Sequence, residues 1–178
     1  MINKAFADNS EQMLAEALNE FRCDKNADIE KFLRYKAIDF EDNGWCSVYL
    51  ILDREKFIAN NICIVAYFTL SHKSIFFLPK VSKNKRKDLS TNKNSEIAHV
   101  VLIGQLGKYI HKDYAYDIKS SEILDDAFSV IKKASNIIVC RGVLVECNKE
   151  EKVHAVYENY GFKYLQVDNE HYQFYKRI

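Results

Sequence analysis

The chain has 178 residues, 48% of them hydrophobic and 13% aromatic, which suits one domain, residues 1–178, with a real core. Its 26 Lys and Arg against 25 Asp and Glu leave a net charge of +1, so there is no global electrostatic case for nucleic acid or an anionic membrane. No apolar run approaches the ~20 residues of a membrane helix, and the opening "MINKAFADNS" lacks the apolar stretch of a signal peptide. Cys23, Cys46, Cys63, Cys140 and Cys147 show no C-x-x-C spacing. An odd, scattered set is expected to be reduced thiols in a cytoplasmic protein.

Met13, Leu14, Ala17, Leu18 and Phe21 recur at helical spacing, with Asn9 or Ser10 placed to cap the first turn. Ile29, Phe32, Leu33, Ala37 and Phe40 form a second helical stripe with Asp28 near its start. "DNG" at 42–44 is a turn signal. "CSVYLILD" and "ICIVAYFTL" predict adjacent antiparallel strands around 46–53 and 61–70, joined by "REKFIANN" as a hairpin connection. Residues 79–95 are polar and basic and predict an exposed loop. Its "KNKRK" at 83–87 could meet RNA or an acidic partner, or be a solvated loop tip.

"IAHVVLIGQLGKYI", 97–110, predicts a long strand in the middle of a sheet covered on both faces. A helix follows over roughly 119–134, with Ser120 or Ser121 as its cap and Glu122 in its first turn. "IIVCRGVLVEC" predicts another strand, and a helix over about 150–160 ends at Gly161 in the left-handed position. "KYLQV" and "HYQFYKR" close the chain as two strands. The order predicts an α/β fold: one mixed sheet with parallel neighbours at its β-α-β piece, antiparallel edges and helices on both faces.

"LIGQLGKY", the helix opened by "KSSEILDDAF", the strand "VLVECN" and "AVYENYGFKYL" resemble the second half of the GNAT superfamily, the acetyl-CoA-dependent N-acetyltransferases. "FRCDKNADIEKFLRYKA", residues 21–37, is similar to the opening of a toxin-type GNAT subgroup. The resemblance covers about four-fifths of the chain, and its most specific part is apolar-Tyr-Glu-x-x-Gly-Phe after a strand. It implies an acetyl group moved from acetyl-CoA to a primary amine. The backbone of Leu106, Gly107 and Lys108 would pair with the pantetheine arm. The pyrophosphate would sit at the start of the following helix, on Lys119, Ser120 and Ser121. The sequence departs from the family here, since "YDIKSS", 116–121, lacks glycine, and Cβ atoms stand where close backbone approach is wanted.

The family motif nominates Tyr157 as general acid to the departing thiolate. An unperturbed phenol, pKa about 10, is protonated at neutral pH and can donate. Tyr157 also shares a helix face with Val153 and Tyr160, which suits packing equally. The base is not legible. Glu96, His99 and Gln105 precede or lie on the central strand, and Glu146 and Asn148 end the next one. His72, His111, His154 and His171 show no metal-ligand spacing. Acceptor choice is expected from the first two helices and from residues 71–95, where Phe76 and Phe77 could line an apolar pocket. Three readings stay open: an N-acetyltransferase with an unidentified amine acceptor, a toxin-like enzyme acting on aminoacyl-tRNA, and a GNAT-fold binding or regulatory protein without catalysis. A homodimer is the assembly the resemblance implies.

Overall fold

The computed structural model describes residues 10–112, 114–137 and 139–178; Asn9, proposed above as a cap, lies outside them. Six strands form one mixed sheet, flanked by helices, in the order β1 (Ser47–Leu52), β2 (Ile64–Phe76), β3 (Ile97–Lys108), β6 (Gly142–Cys147), β8 (His171–Arg177) and β7 (Lys163–Asp168). The chain divides into two compact units, and β2, β3 and the helix after β3 each contribute to both.

The first unit holds everything described up to Thr69 together with Gln105–Ile123. Its helices are α1 (Ser10–Glu20), α2 (Ala27–Tyr35) and α3 (Ala37–Asp42). The second predicted helix is thus two helices, broken at Lys36. The cap of α2 is Asn26, two residues before Asp28, and its side chain accepts from the Asp28 and Ile29 amides. The "DNG" turn is present, with Gly44 at φ +70. β1 spans Ser47–Leu52 and β2 spans Ile64–Phe76. Between them "REKFI" is a helix, α4 (Arg54–Ile58), rather than a simple hairpin connection, because the Asp53 carboxylate accepts from the Glu55 and Lys56 amides and nucleates a turn. The core is Leu14, Leu18, Phe21, Phe32, Leu33, Val48, Ile64 and Tyr67, and the Tyr67 hydroxyl is satisfied by donating to Ile29 O at 2.7 Å.

The second unit holds Leu70–Gly104 and Leu124–Ile178. Residues 79–95 are not a bare loop: α5 covers Lys83–Ser90, capped by Ser82, and buries Leu89. One apolar residue at helical phase, beside buried Val81, suffices to dock a turn-rich basic segment. Arg86 is committed to that docking, donating to Val81 O, Ser95 O and Leu78 O. Phe77 is buried and Phe76 exposed.

β3 (Ile97–Lys108) pairs in parallel with β6 (Gly142–Cys147) through Val101–Ile103 and Val143–Val145. β6 starts later than its apolar run suggests. Ile137 and Val139 are 85% and 91% exposed, Ile138 lies outside the described residues, and Gly142 is where Leu89 Cδ2 leaves no room for a Cβ. After α7 (Glu151–Asn159), β7 (Lys163–Asp168) and β8 (His171–Arg177) form an antiparallel hairpin, and β8 pairs antiparallel with β6. Asn169 and Glu170, at φ +46 and +70, make its two-residue turn.

Candidate functional site

In the first unit, β3 runs on to Lys108 although its ladder with β6 is registered only to Ile103. Of this extension, the Gln105 amide is spent on the Thr69 hydroxyl at 2.9 Å. Gly107 is fixed by packing: a Cβ there would fall on Ile29 Cγ2 and within 2.6 Å of Tyr67 Cε1. Lys108 Nζ donates to Ile118 O at 3.1 Å and so braces the turn that leads into the next helix. Tyr109–Ala115 adds a small ribbon, β4 (Ile110–His111) against β5 (Tyr114–Ala115).

The helix after that turn is α6 (Ser120–Ser135). Ser120 and Ser121 are its first two residues, not its caps. Lys119 holds the capping position: its carbonyl accepts from the Glu122 and Ile123 amides. Its own amide donates to Glu122 Oε2 at 2.7 Å, a capping-box return bond. The turn needs no glycine, since no residue from 116 to 121 takes a positive φ among the described residues. The Ser120 and Ser121 amides take no acceptor among the described residues, and their hydroxyls and the exposed Lys119 ammonium lie beside them. Two unspent amides, two hydroxyls and a cation at the start of a 16-residue helix fit a pyrophosphate. The Glu122 carboxylate there opposes it.

In the second unit, Tyr157 is half-buried on α7. Its ring meets Phe162 edge-on at 5.7 Å and Phe174 at 6.3 Å. Its hydroxyl makes no hydrogen bond to a described residue. Burial, with a smaller contribution from Cys147, pushes the phenol up to about 12, so it stays protonated through the neutral range. Tyr160 differs. Its hydroxyl donates to Asp125 Oδ1 at 2.6 Å, and Lys176 Nζ lies 4.1 Å from its ring centre while donating to its carbonyl. It is tied into the packing.

Of the base candidates, His99 and Glu146 already have hydrogen-bond partners. His99 is exposed, with Nδ1 2.8 Å from Ser74 Oγ. His154 lies on Tyr172 and Phe174 and reaches Asn148 O at 3.1 Å. Glu146 accepts twice from Lys73 Nζ, at 2.7 and 2.8 Å, and once from Gln173 Nε2 at 2.7 Å. Buried Gln173 accepts in turn from Gln166, which bridges to Phe76 O and the Leu78 amide. Sequence reasoning missed this chain of buried amides, because nothing in the short strands "KYLQV" and "HYQFYKR" distinguishes a buried glutamine from a solvent-facing one. No group of His, Cys, Asp and Glu could hold a metal ion among the described residues, and no described helix is long and apolar enough to cross a membrane.

No protein-family model matches the sequence, and no curated protein matches it. Solved structures do. A structure described as AtaT complexed with acetyl-methionyl-tRNAfMet is 22% identical, with a TM-score of 0.70 over 90% of this chain and 86% of that one. A tyrosine-to-phenylalanine mutant of KacT is 21% identical, with a TM-score of 0.68 over 90% of this chain and 86% of that one. A structure described as a bacterial toxin is 18% identical, with a TM-score of 0.70 over 91% of this chain and 83% of that one. AtaT is also described bound to the C-terminus of the antitoxin AtaR and acetyl-CoA. At these identities the likeness establishes the fold, which is the GNAT fold of these toxins.

Proposed function

We propose that this chain is an acetyl-CoA-dependent N-acetyltransferase, and that its acceptor is the α-amino group of an aminoacyl-tRNA. The reading rests on one observation: a GNAT-fold likeness over nine-tenths of the chain to a structure described with acetylated aminoacyl-tRNA. The protonated Tyr157 and the unspent donors at the start of α6 support it.

Acetyl-CoA supplies the activated acetyl group as a thioester. The chain's own residues then have three tasks. The N–H and C=O groups of Leu106, Gly107 and Lys108 hold the pantetheine arm in strand fashion. The Ser120 and Ser121 amides and hydroxyls, with Lys119, hold the pyrophosphate at the helix start. Tyr157 gives its proton to sulfur as the amine nitrogen bonds to the carbonyl carbon and the C–S bond breaks. The nitrogen loses one proton in the same exchange, so the phenol is restored with no net gain or loss. Two chains are proposed to pair, and the cytoplasm is the proposed compartment, where the acceptor is found.

Calorimetric titration with acetyl-CoA tests the reading, on the natural chain and on the Ser120→Glu, Ser121→Glu double variant. Micromolar binding that falls at least about tenfold when two carboxylates are added at the helix start supports it. Transfer of labelled acetyl to aminoacyl-tRNA, lost in Tyr157→Phe, completes it. Absence of binding at millimolar acetyl-CoA overturns the enzyme reading and leaves a GNAT-fold binding protein, which the Glu122 carboxylate at the helix start would favour.

A further inference from the structure

The first unit contains an open pocket of about 210 Å³ whose apolar wall includes Phe21, Ile62 and Ile64. Its polar wall carries three reactive groups from distant parts of the chain. Lys56 comes from α4, Cys63 precedes β2 and Tyr116 follows β5. Lys56 Nζ donates to Cys63 Sγ at 3.4 Å and to the Tyr116 hydroxyl at 3.1 Å, and Sγ and that hydroxyl are 3.2 Å apart. Ammonium, thiol and phenol thus form a closed triangle on the wall of the cavity. Hydrogen bonds to Tyr116 and then to Cys63 hold the Lys56 ammonium above its ordinary value, and burial pushes the Tyr116 phenol up to about 12. Both remain donors at neutral pH.

No other described cysteine has a cation within hydrogen-bond distance. Burial pushes the thiols of Cys23, Cys46 and Cys147 up, the last to about 11, and Cys140 donates its S–H to Gly142 O at 3.3 Å. Cys46, Cys140 and Cys147 are half-exposed like Cys63, and only Cys23 is buried; what sets Cys63 apart is the ammonium beside it in a cavity, the setting of reactive cysteines.

We propose that Cys63 is the reactive thiol of this chain, a thiol–disulfide exchange site that takes a small, uncharged aliphatic disulfide into the pocket. The Cys63 sulfur attacks one sulfur of the disulfide. A new S–S bond forms to Cys63, the old one breaks, and the departing thiolate takes up a proton equivalent to the one Cys63 gave up. The products are a mixed disulfide and one free thiol, with no further oxidant or reductant. Lys56 stays an ammonium throughout and steadies charge on the attacking sulfur. The cavity is lined by one carboxylate, Glu20, and by one ammonium already directed at sulfur and phenol, so its charges balance and favour an uncharged group. This inference does not rest on the acetyltransferase reading.

The test exposes the full chain to dilute 2-hydroxyethyl disulfide at neutral pH and follows all five cysteines by peptide mass mapping. The expected result is a mixed disulfide on Cys63 about tenfold faster than on Cys46 or Cys140, slowed about tenfold in Lys56→Met and largely restored in Lys56→Arg. Equal rates at Cys63, Cys46 and Cys140 in the natural chain overturn the proposal whatever the variants do. An unchanged Cys63 rate in Lys56→Met overturns it equally.

Discussion

The Glu122 carboxylate accepts from the Lys119 amide at 2.7 Å, and this bond closes the first turn of the helix that would receive a pyrophosphate. The same carboxylate stabilises the helix start and repels a phosphate. Glu122→Gln keeps an acceptor for the Lys119 amide and removes the charge. Acetyl-CoA affinity is expected to rise severalfold, with a stability loss of no more than about 1 kcal/mol. Calorimetry and thermal melting of one variant read both. Unchanged or weaker binding would show that the carboxylate does not oppose the phosphates.

Tyr157→Phe keeps the ring contacts with Phe162 and Phe174 and removes only the hydroxyl, which has no described partner. Turnover is expected to fall about 10²-fold with KM for acetyl-CoA nearly unchanged. A matching loss of thermal stability would instead assign the hydroxyl to the fold.

The raised phenols set an alkaline limit on stability. Below an ordinary tyrosine value of about 10, folded and unfolded chains carry the same phenolic protons. As pH rises from there to the folded values near 12 of Tyr157 and Tyr116, the unfolded chain loses protons that the folded chain keeps. The stabilisation is therefore whole below about pH 10 and lost on the way to about pH 12. Melting temperature against pH should show this fall, and Tyr157→Phe should make it shallower. Tyr67, Tyr160 and Tyr175, raised in the same direction, add to it in the natural chain.

Gln173 is fully buried and joins Gln166 to Glu146. Gln173→Leu would fit the volume but leave the Gln166 amide without one of its two acceptors and the Glu146 carboxylate without one donor. The expected cost is about 2–4 kcal/mol, read by urea unfolding. Gln173→Glu should cost as much or more, since it faces Glu146 with a like charge.

Gly107 and Gly161 matter for different reasons. Gly107→Ala drives a Cβ into Ile29 and Tyr67 and should cost about 1–3 kcal/mol through repacking. Gly161 sits at φ +92 with only Lys176 side-chain atoms near the site of a Cβ, at 3.5 and 3.7 Å, so Gly161→Ala should cost about 1 kcal/mol through backbone strain alone. Denaturant midpoints separate the two if Ile29→Ala, which removes the Cγ2 methyl, relieves Gly107→Ala but leaves Gly161→Ala unchanged.

The sequence by itself determined what short-range patterns can carry. Short aromatic-bearing runs marked the closing hairpin, with β7 and β8 at "KYLQV" and "HYQFYKR". The stripe ending at Gly161 marked α7, and "KSSE" marked the helix start where Glu122 returns to the Lys119 amide. Tyr157 and residues 106–108 and 119–121 were nominated by resemblance, and their local settings could not have been read from their neighbours in the chain. Where local signals were weak, tertiary contacts decided. α5 formed within a basic stretch because Leu89 found a core, and Ile137 and Val139 stayed exposed and out of the strand, which begins at Gly142, packed against Leu89. The Gln166–Gln173–Glu146–Lys73 chain and the Lys56–Cys63–Tyr116 triangle join residues up to 100 and 60 positions apart. Hydrogen bonds at 2.7–3.4 Å depend on where the backbone brings each group, and residue order alone does not contain that geometry until the sheet has folded.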